Sequence, residues 1–414
     1  MFSSAIITQT ILSATNFGVG LILIRRTSDL QYGYYILVSN ATLLIAGLQE
    51  AFIQPPMVIR MTRSDRPERA RLIGGLYRGQ RQMLMVLGVA SIAVLAVLWL
   101  AGWLDNQAGL LGLASVVVTV AVLYRTFFRM VLLAYRRSQD VLKADLCYAL
   151  MLISGVPLAT ISPAPAATAL FALGLAAVGG GTLLFKSLWR HEAWNNQGPP
   201  SMLREMAPLG GWAAAGSATH WAFSQGYNYV VAGALDVTAV AAIAATRLLM
   251  MPVNLLSSGI TSLMMPTASG WLHAHGPATV LRRLTLIASG LASLALCYFA
   301  AVWWARDLLF AHVLHKQFAQ RDMLLAIWSA VFLIMVFRDQ LLYLPGSCGL
   351  YRSLAAVTGT SAIVSLAIGY VAIRYVGIVG GPLGVLAGEL SNVSGIIYLS
   401  LRQVRRSRAE IQHK

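Results

Sequence analysis

The sequence predicts an all-α integral membrane protein of about twelve transmembrane helices in two six-helix bundles. First, 57% of its 414 residues are hydrophobic and only 11% charged, with a mean hydropathy of +0.68. That charge is about half the roughly 25% of an ordinary soluble domain. Second, the apolar residues come in blocks of about 20, the length that crosses a ~30 Å hydrocarbon core. Third, no stretch shows the ~10-residue alternating period of an outer-membrane barrel. Together these observations exclude a soluble globular enzyme.

Twelve blocks can be drawn, near residues 3–24, 34–58, 83–104, 109–134, 143–162, 166–188, 207–233, 237–265, 284–305, 323–345, 353–375 and 379–401. The start, MFSSAIITQTILSATNFGVGLILIRR, has no basic segment ahead of its apolar run and no small-residue cleavage site after it. It reads as a retained first helix and not a signal peptide.

The 31 Lys and Arg outnumber 15 Asp and Glu, giving +16 and a pI of about 10.2. In a soluble chain this would point to nucleic acid. Here the cations cluster between apolar blocks and report topology, so no nucleic-acid partner is expected. With the N-terminus cytoplasmic, 21 basic residues fall on the inner side, 6 on the outer side and 4 within spans. Both termini are therefore expected in the cytoplasm. The seven arginines from Arg60 to Arg81, read as one loop, outweigh Arg25 and Arg26, which alone favour the opposite placement.

The segment 189–206, with Pro199 and Pro200, reads as a cytoplasmic linker between an N-terminal bundle (1–188) and a C-terminal bundle (207–402), followed by a basic tail (403–414). A faint parallel repeat supports the division. SDLQYGYYILVSN from Ser28 matches the pattern of LDVTAVAAIAATR from Leu235, aligning Asp29 with Asp236 at an offset of 207. Cys147, Cys297 and Cys348 lie too far apart for a disulfide framework or a CxxC metal site.

Polar stripes at helical spacing mark spans that line a water-accessible cavity or hold helices together. The first span has Gln9, Ser13 and Asn16; the second has Ser39, Glu50 and Gln54. The seventh has Ser217, His220, Ser224 and Asn228; the eighth has Arg247, Asn254, Ser258 and Thr261. Ionisable residues at membrane depth are expensive, at ~2.5 to 3.5 kcal/mol on insertion scales, which makes Glu50, Arg247 and Glu389 candidates, with Glu50 and Arg247, on the polar stripes, the leading functional ones. Arg125 and Arg129 read as snorkelling or headgroup-binding residues. Adjacent Arg338 and Asp339 point about 100° apart and are each expected to pair with another helix. Tyr32, Tyr34, Tyr35, Trp303, Trp304 and Trp328 read as interfacial aromatics. His273 and His275 read as solvated loop residues, with no metal site.

The twelve spans, the six-plus-six parallel repeat, and ATNFGVGLILIRR leading through Tyr32, Gly33 and Tyr34 into the second helix resemble polysaccharide and O-antigen flippases. These belong to the multidrug/oligosaccharidyl-lipid/polysaccharide exporter superfamily. The resemblance implies a multidrug-extrusion-like fold with a V-shaped cavity lined by helices 1, 2, 7 and 8. It further implies flipping of oligosaccharide repeat units on polyprenyl pyrophosphate across a bacterial inner membrane, for exopolysaccharide, capsule or O-antigen export. Candidate partners are a polysaccharide polymerase and the export machinery. Arg247 is then the natural pyrophosphate ligand, with Arg25 and Arg26 at the outer mouth. Gln9, Asn16, His220, Asn228 and Asn254 are cavity residues able to satisfy sugar groups. Glu50 or Glu389 would carry a coupling proton or sodium ion, and no other cofactor is implied.

Two other readings compete. A drug or cation antiporter of the same fold would use Glu50 to recognise cationic compounds. An integral membrane polysaccharide polymerase would need a large outer loop, whereas the longest here runs only from Arg306 to Asp322 and has His312 and His315 as its histidines. No GxxxxGKS-type loop exists, which argues against an ATP-driven pump.

Overall fold

The computed structural model describes the backbone of residues 2–192, 198–318 and 320–412, and within these all side chains except those of 2–6, 255–263, 266 and 408–412. Ser258 and Thr261 of the predicted eighth-span stripe, and the terminal cations Arg408 and Lys414, lie outside the described side chains. Among the described residues there are helices and no strands.

The chain divides into two compact units, Met1–Ala218 and Thr219–Lys414. The first contains α1 (Phe2–Arg26), α2 (Asp29–Arg63), α3 (Arg66–Leu100), α4 (Asn106–Ala134), α5 (Ser138–Gly155), α6 (Pro165–His191) and the first part of α7 (Ala207–Gln225). The second contains the rest of α7, then α8 (Tyr227–Ala234), α9 (Val237–Trp304), α10 (Arg306–Leu308), α11 (Arg321–Leu341), α12 (Tyr343–Ser347), α13 (Tyr351–Val376) and α14 (Gly380–Gln412). Among the described residues ten helical segments are long and apolar enough to cross a membrane, and one of them, Tyr351–Ser407, holds α13 and most of α14.

Helix starts follow local chemistry. Ser28 caps α2 by accepting from the Gln31 amide at 3.4 Å, and Asp236 caps α9 by accepting from the Ala239 amide at 2.7 Å. These caps lie one residue apart in the register of the proposed repeat. Asp65 caps α3 by accepting from the Glu68 amide at 3.0 Å, with Pro67 in the first turn, where a missing N–H costs nothing.

The expected seven-arginine loop is a correction. Only Ser64 and Asp65 separate α2 from α3, and the arginines ride on helix. Each helix has 35 residues, roughly 50 Å at 1.5 Å per residue, so both overshoot the hydrocarbon core by several turns. The overshoot is held by buried Ala70, Leu72, Ile73 and Leu76 on the inner face of α3.

In the first unit α6 packs against α4 and α5, α1 against α5, and α2 against α4. Thr42 and Thr119 share a 3.1 Å hydrogen bond between α2 and α4, and Gln49 donates to the Leu123 carbonyl at 3.1 Å. Rings of Tyr77, Tyr124, Phe127, Phe128 and Phe185 fill the core beside them. Arg125 and Arg129 do not snorkel. Both donate to Asp145 of α5, whose side chain is fully buried; the Arg129 bond is 3.1 Å. The Arg125 guanidinium also lies 3.9 Å from the Tyr148 ring centre. Gly180 of α6 permits this approach, since a Cβ there would lie 3.3 Å from the Ala144 carbonyl and 3.4 Å from Arg125 Nε.

In the second unit the tightest seam joins α13 and α14. Gly380, Gly384 and Gly388 recur every four residues on α14. A Cβ on Gly384 would lie 2.5 Å from both the Gly369 Cα and the Ser365 carbonyl, so only glycine lets the backbones meet. The predicted seventh span is divided at Gly226 into α7 and α8, and the predicted eighth and ninth spans lie on the two helices that α9 joins across a kink. Gly276 interrupts α9 with φ of 76° and ψ of 171°, a conformation glycine adopts without steric cost.

Candidate functional site

The second unit gathers charged, amide and aromatic groups from α7, α8, α9, α11 and α14. Arg247 of α9 donates from one Nη to Gln225 Oε1 at 2.9 Å and to the Tyr227 hydroxyl at 3.1 Å. Its guanidinium lies 5.4 Å from the Trp328 ring centre and 5.9 Å from that of Tyr227. Among the described residues it has no carboxylate in ion-pair range. A cation held by neutral acceptors and aromatic faces at membrane depth keeps its charge available to an anion.

Gln225 sits where α7 breaks, and its amide oxygen also accepts from Asn228 at 3.3 Å. Asn228 further donates to the Gln225 main-chain carbonyl at 3.1 Å and is almost fully buried, its Oδ1 without a partner among the described residues. Asn228 thus holds Gln225, the residue that accepts from Arg247, and is itself buried behind it. Asn254 lies seven residues beyond Arg247 on the same face of α9 and is half-buried.

The second part of the site is ionic. Arg338 of α11 contacts both carboxylate oxygens of Glu389 on α14, at 2.6 and 2.8 Å, and donates to Asp339 at 2.7 and 2.9 Å. The Glu389 side chain is 4% exposed and that of Asp339 32%. The expectation that Arg338 and Asp339 each reach a different helix therefore fails for Asp339, whose cation is its own neighbour. One guanidinium has donors enough to bridge two carboxylates. Arg247 is within Coulombic reach of Glu389, and His220 of Arg338 and Asp339, so the two parts share one field.

The remaining predicted residues lie in the first unit. Gln9, Asn16, Arg25 and Arg26 are exposed along α1, and Glu50 of α2 is half-buried with no ion pair among the described residues. They form no cluster with one another comparable to that around Arg247.

Sequence reasoning missed Gln225 and Tyr227 and misplaced Trp328 and Tyr32. Trp328 is 1% exposed and Tyr32 2%, so both rings pack inside the protein and neither faces lipid. Gln225 follows Ser224 of the predicted stripe and projects about 100° away from it, so the stripe rule passed over it. The readable signal was Gly226 followed by Tyr-Asn-Tyr within an apolar span.

No protein-family model matches the chain, and no curated protein matches it. Solved structures do. A multidrug resistance MATE family transporter of the MOP superfamily aligns in its outward-facing conformation with a TM-score of 0.68 at 11% identity, covering 99% of this chain and 95% of that one. Its inward-facing counterpart gives 0.70 at 13%, covering 95% of each chain. The lipid II flippase MurJ, in an inward closed conformation, gives 0.71 at 11%, covering 97% of this chain and 87% of that one. The likeness is one of fold: the chain is a multi-pass all-α membrane protein with the architecture shared by these structures.

Proposed function

We propose that this protein flips polyprenyl-pyrophosphate-linked oligosaccharide repeat units across a bacterial inner membrane by alternating access, for polysaccharide biosynthesis and export. The observation that carries this reading is Arg247: a half-buried guanidinium at membrane depth whose hydrogen bonds go to neutral Gln225 and Tyr227. An arginine without a carboxylate partner in such a place is suited to an anionic cargo such as pyrophosphate and repels a cationic drug. The fold likeness to both drug transporters and a lipid flippase supports transport as the class.

Glu389 is the proposed coupling group for a proton or sodium ion. Its carboxylate is held by Arg338, so neutralising or coordinating it would loosen the bridge between α11 and α14. Gln9, Asn16, His220 and Asn254 remain the proposed sugar contacts, with Arg25 and Arg26 at the outer mouth and a polymerase as the partner that consumes the product. The drug-antiporter reading rests on Glu50, the half-buried carboxylate of α2 without an ion pair among the described residues.

Arg247→Ala separates the two. Removing a charge-assisted contact worth ~1.5 to 3 kcal/mol lowers polymer export about tenfold or more with membrane abundance unchanged. Susceptibility to cationic drugs stays at the wild-type level. Normal export in that variant contradicts the pyrophosphate role, and altered drug susceptibility favours the antiporter.

A further inference from the structure

A second basic feature lies in the first unit, far along the sequence from Arg247. Where α2 ends and α3 begins, a cavity of about 320 Å³ is lined by Arg60, Arg63 and Arg71, with Ser64 and Glu68 beside them. Its apolar wall is Leu72, almost fully buried, and Met202 from the segment 200–206. That wall is built in. Gly75 and Gly79 of α3 admit the segment so closely that a Cβ on Gly75 would lie 2.6 Å from Met202 Sδ, and one on Gly79 would lie 2.9 Å from Leu203 Cβ. One turn earlier, Gly198 lies against the Arg71 carbonyl, where a Cβ would come within 2.0 Å.

The charges of this cavity are not balanced. Among the described residues Arg63 and Arg71 have no ion pair. Arg60 pairs with Glu205 at 2.7 Å, but the two side chains are 41% and 48% exposed, so the contact is weak and exchangeable. The two-residue turn holds three guanidiniums around one space; Glu205 offsets Arg60 and Glu68 offsets one more, which leaves one positive charge uncompensated. A multiply charged oxyanion relieves the repulsion, and planar guanidinium forks match phosphate oxygens. Exposed Val58 and Ile59 precede Arg60 directly, which puts the cavity at the level where apolar surface gives way to charge. By the arginine distribution this is the cytoplasmic side.

We propose that this cavity binds a phosphate- or pyrophosphate-bearing headgroup in the cytoplasmic leaflet, gripping it between α2, α3 and the segment 200–206. The site does not depend on which molecule the protein transports. Its test uses the full-length protein in phosphatidylcholine nanodiscs titrated with inorganic pyrophosphate. The wild type binds saturably, and R63Q/R71Q, which spares the Arg60–Glu205 pair, weakens binding about tenfold or more. The charge-matched control R66Q/R81Q changes two exposed arginines outside the cavity and stays within about twofold, because it alters only the screened long-range field. If R63Q/R71Q does not purify, R63Q alone is compared with R66Q alone, and the same ordering is expected. In phosphatidylglycerol nanodiscs, loss of pyrophosphate binding identifies the lipid headgroup as occupant, whereas retained binding identifies the diphosphate; both support the site. Equal weakening in the cavity and control variants, or no saturable binding, overturns it.

Discussion

At the residue scale, burial decides which charges are structural. Asp145 is fully enclosed between Arg125 and Arg129, so Asp145→Ala strands two cations and should destabilise the protein by about 3 to 5 kcal/mol, read as loss of monodisperse protein. Breaking the exposed Arg60–Glu205 pair should cost no more than about 1 kcal/mol. Asp236 is outside the spans and titrates in the opposite sense to a buried acid. The Thr238 hydroxyl and the Ala239 amide hold its carboxyl below the ordinary carboxylate value. Its capping contribution is therefore complete above that ordinary value and lost as pH falls through the lower folded one. At neutral pH, Asp236→Ala should speed amide exchange in the first turn of α9 about fivefold, from the ~1 kcal/mol of a lost cap. The difference from wild type should shrink in acid, and Asp236→Asn should retain most of the protection.

At the element scale, the α13–α14 seam carries the clearest steric prediction. Gly384→Ala places a methyl 2.5 Å from the facing backbone, and the overpacking should cost about 1 to 3 kcal/mol or more, seen as a lower thermal midpoint in detergent. Gly290→Ala on α9 meets open space and should stay within about 1 kcal/mol of wild type. The spans themselves were legible because each needs about 20 apolar residues, and α1, α4, α6 and α13 start and end close to the apolar blocks. The extents of α2 and α3 were not, because their overshoot is polar and hydropathy is silent on a charged helix stabilised by Leu72, Ile73 and Leu76. Composition likewise cannot separate an aromatic at a membrane interface from Trp328, buried against Arg247 and Tyr227. Arg247 and Glu389 stood out from the sequence because charge in an apolar run is costly. Their partners Gln225 and Arg338 depended on which helices pack together.

At the scale of the whole molecule, two helical units hold nearly all the charge at membrane depth in a few places: Arg125, Arg129 and Asp145 in one, and Arg247, Arg338, Asp339 and Glu389 in the other. The first set is locked by mutual pairing. The second leaves Arg247 on neutral acceptors, which is why the proposed cargo is anionic. In the proposed function the protein moves a lipid-linked oligosaccharide from the inner to the outer leaflet. That movement is tested most directly by deleting the gene and measuring, leaflet by leaflet, where lipid-linked repeat units collect. Accumulation in the cytoplasmic leaflet is expected, reversed by the wild-type protein and not by Arg247→Ala. Unpolymerised units in the outer leaflet, or an unchanged distribution, would contradict it.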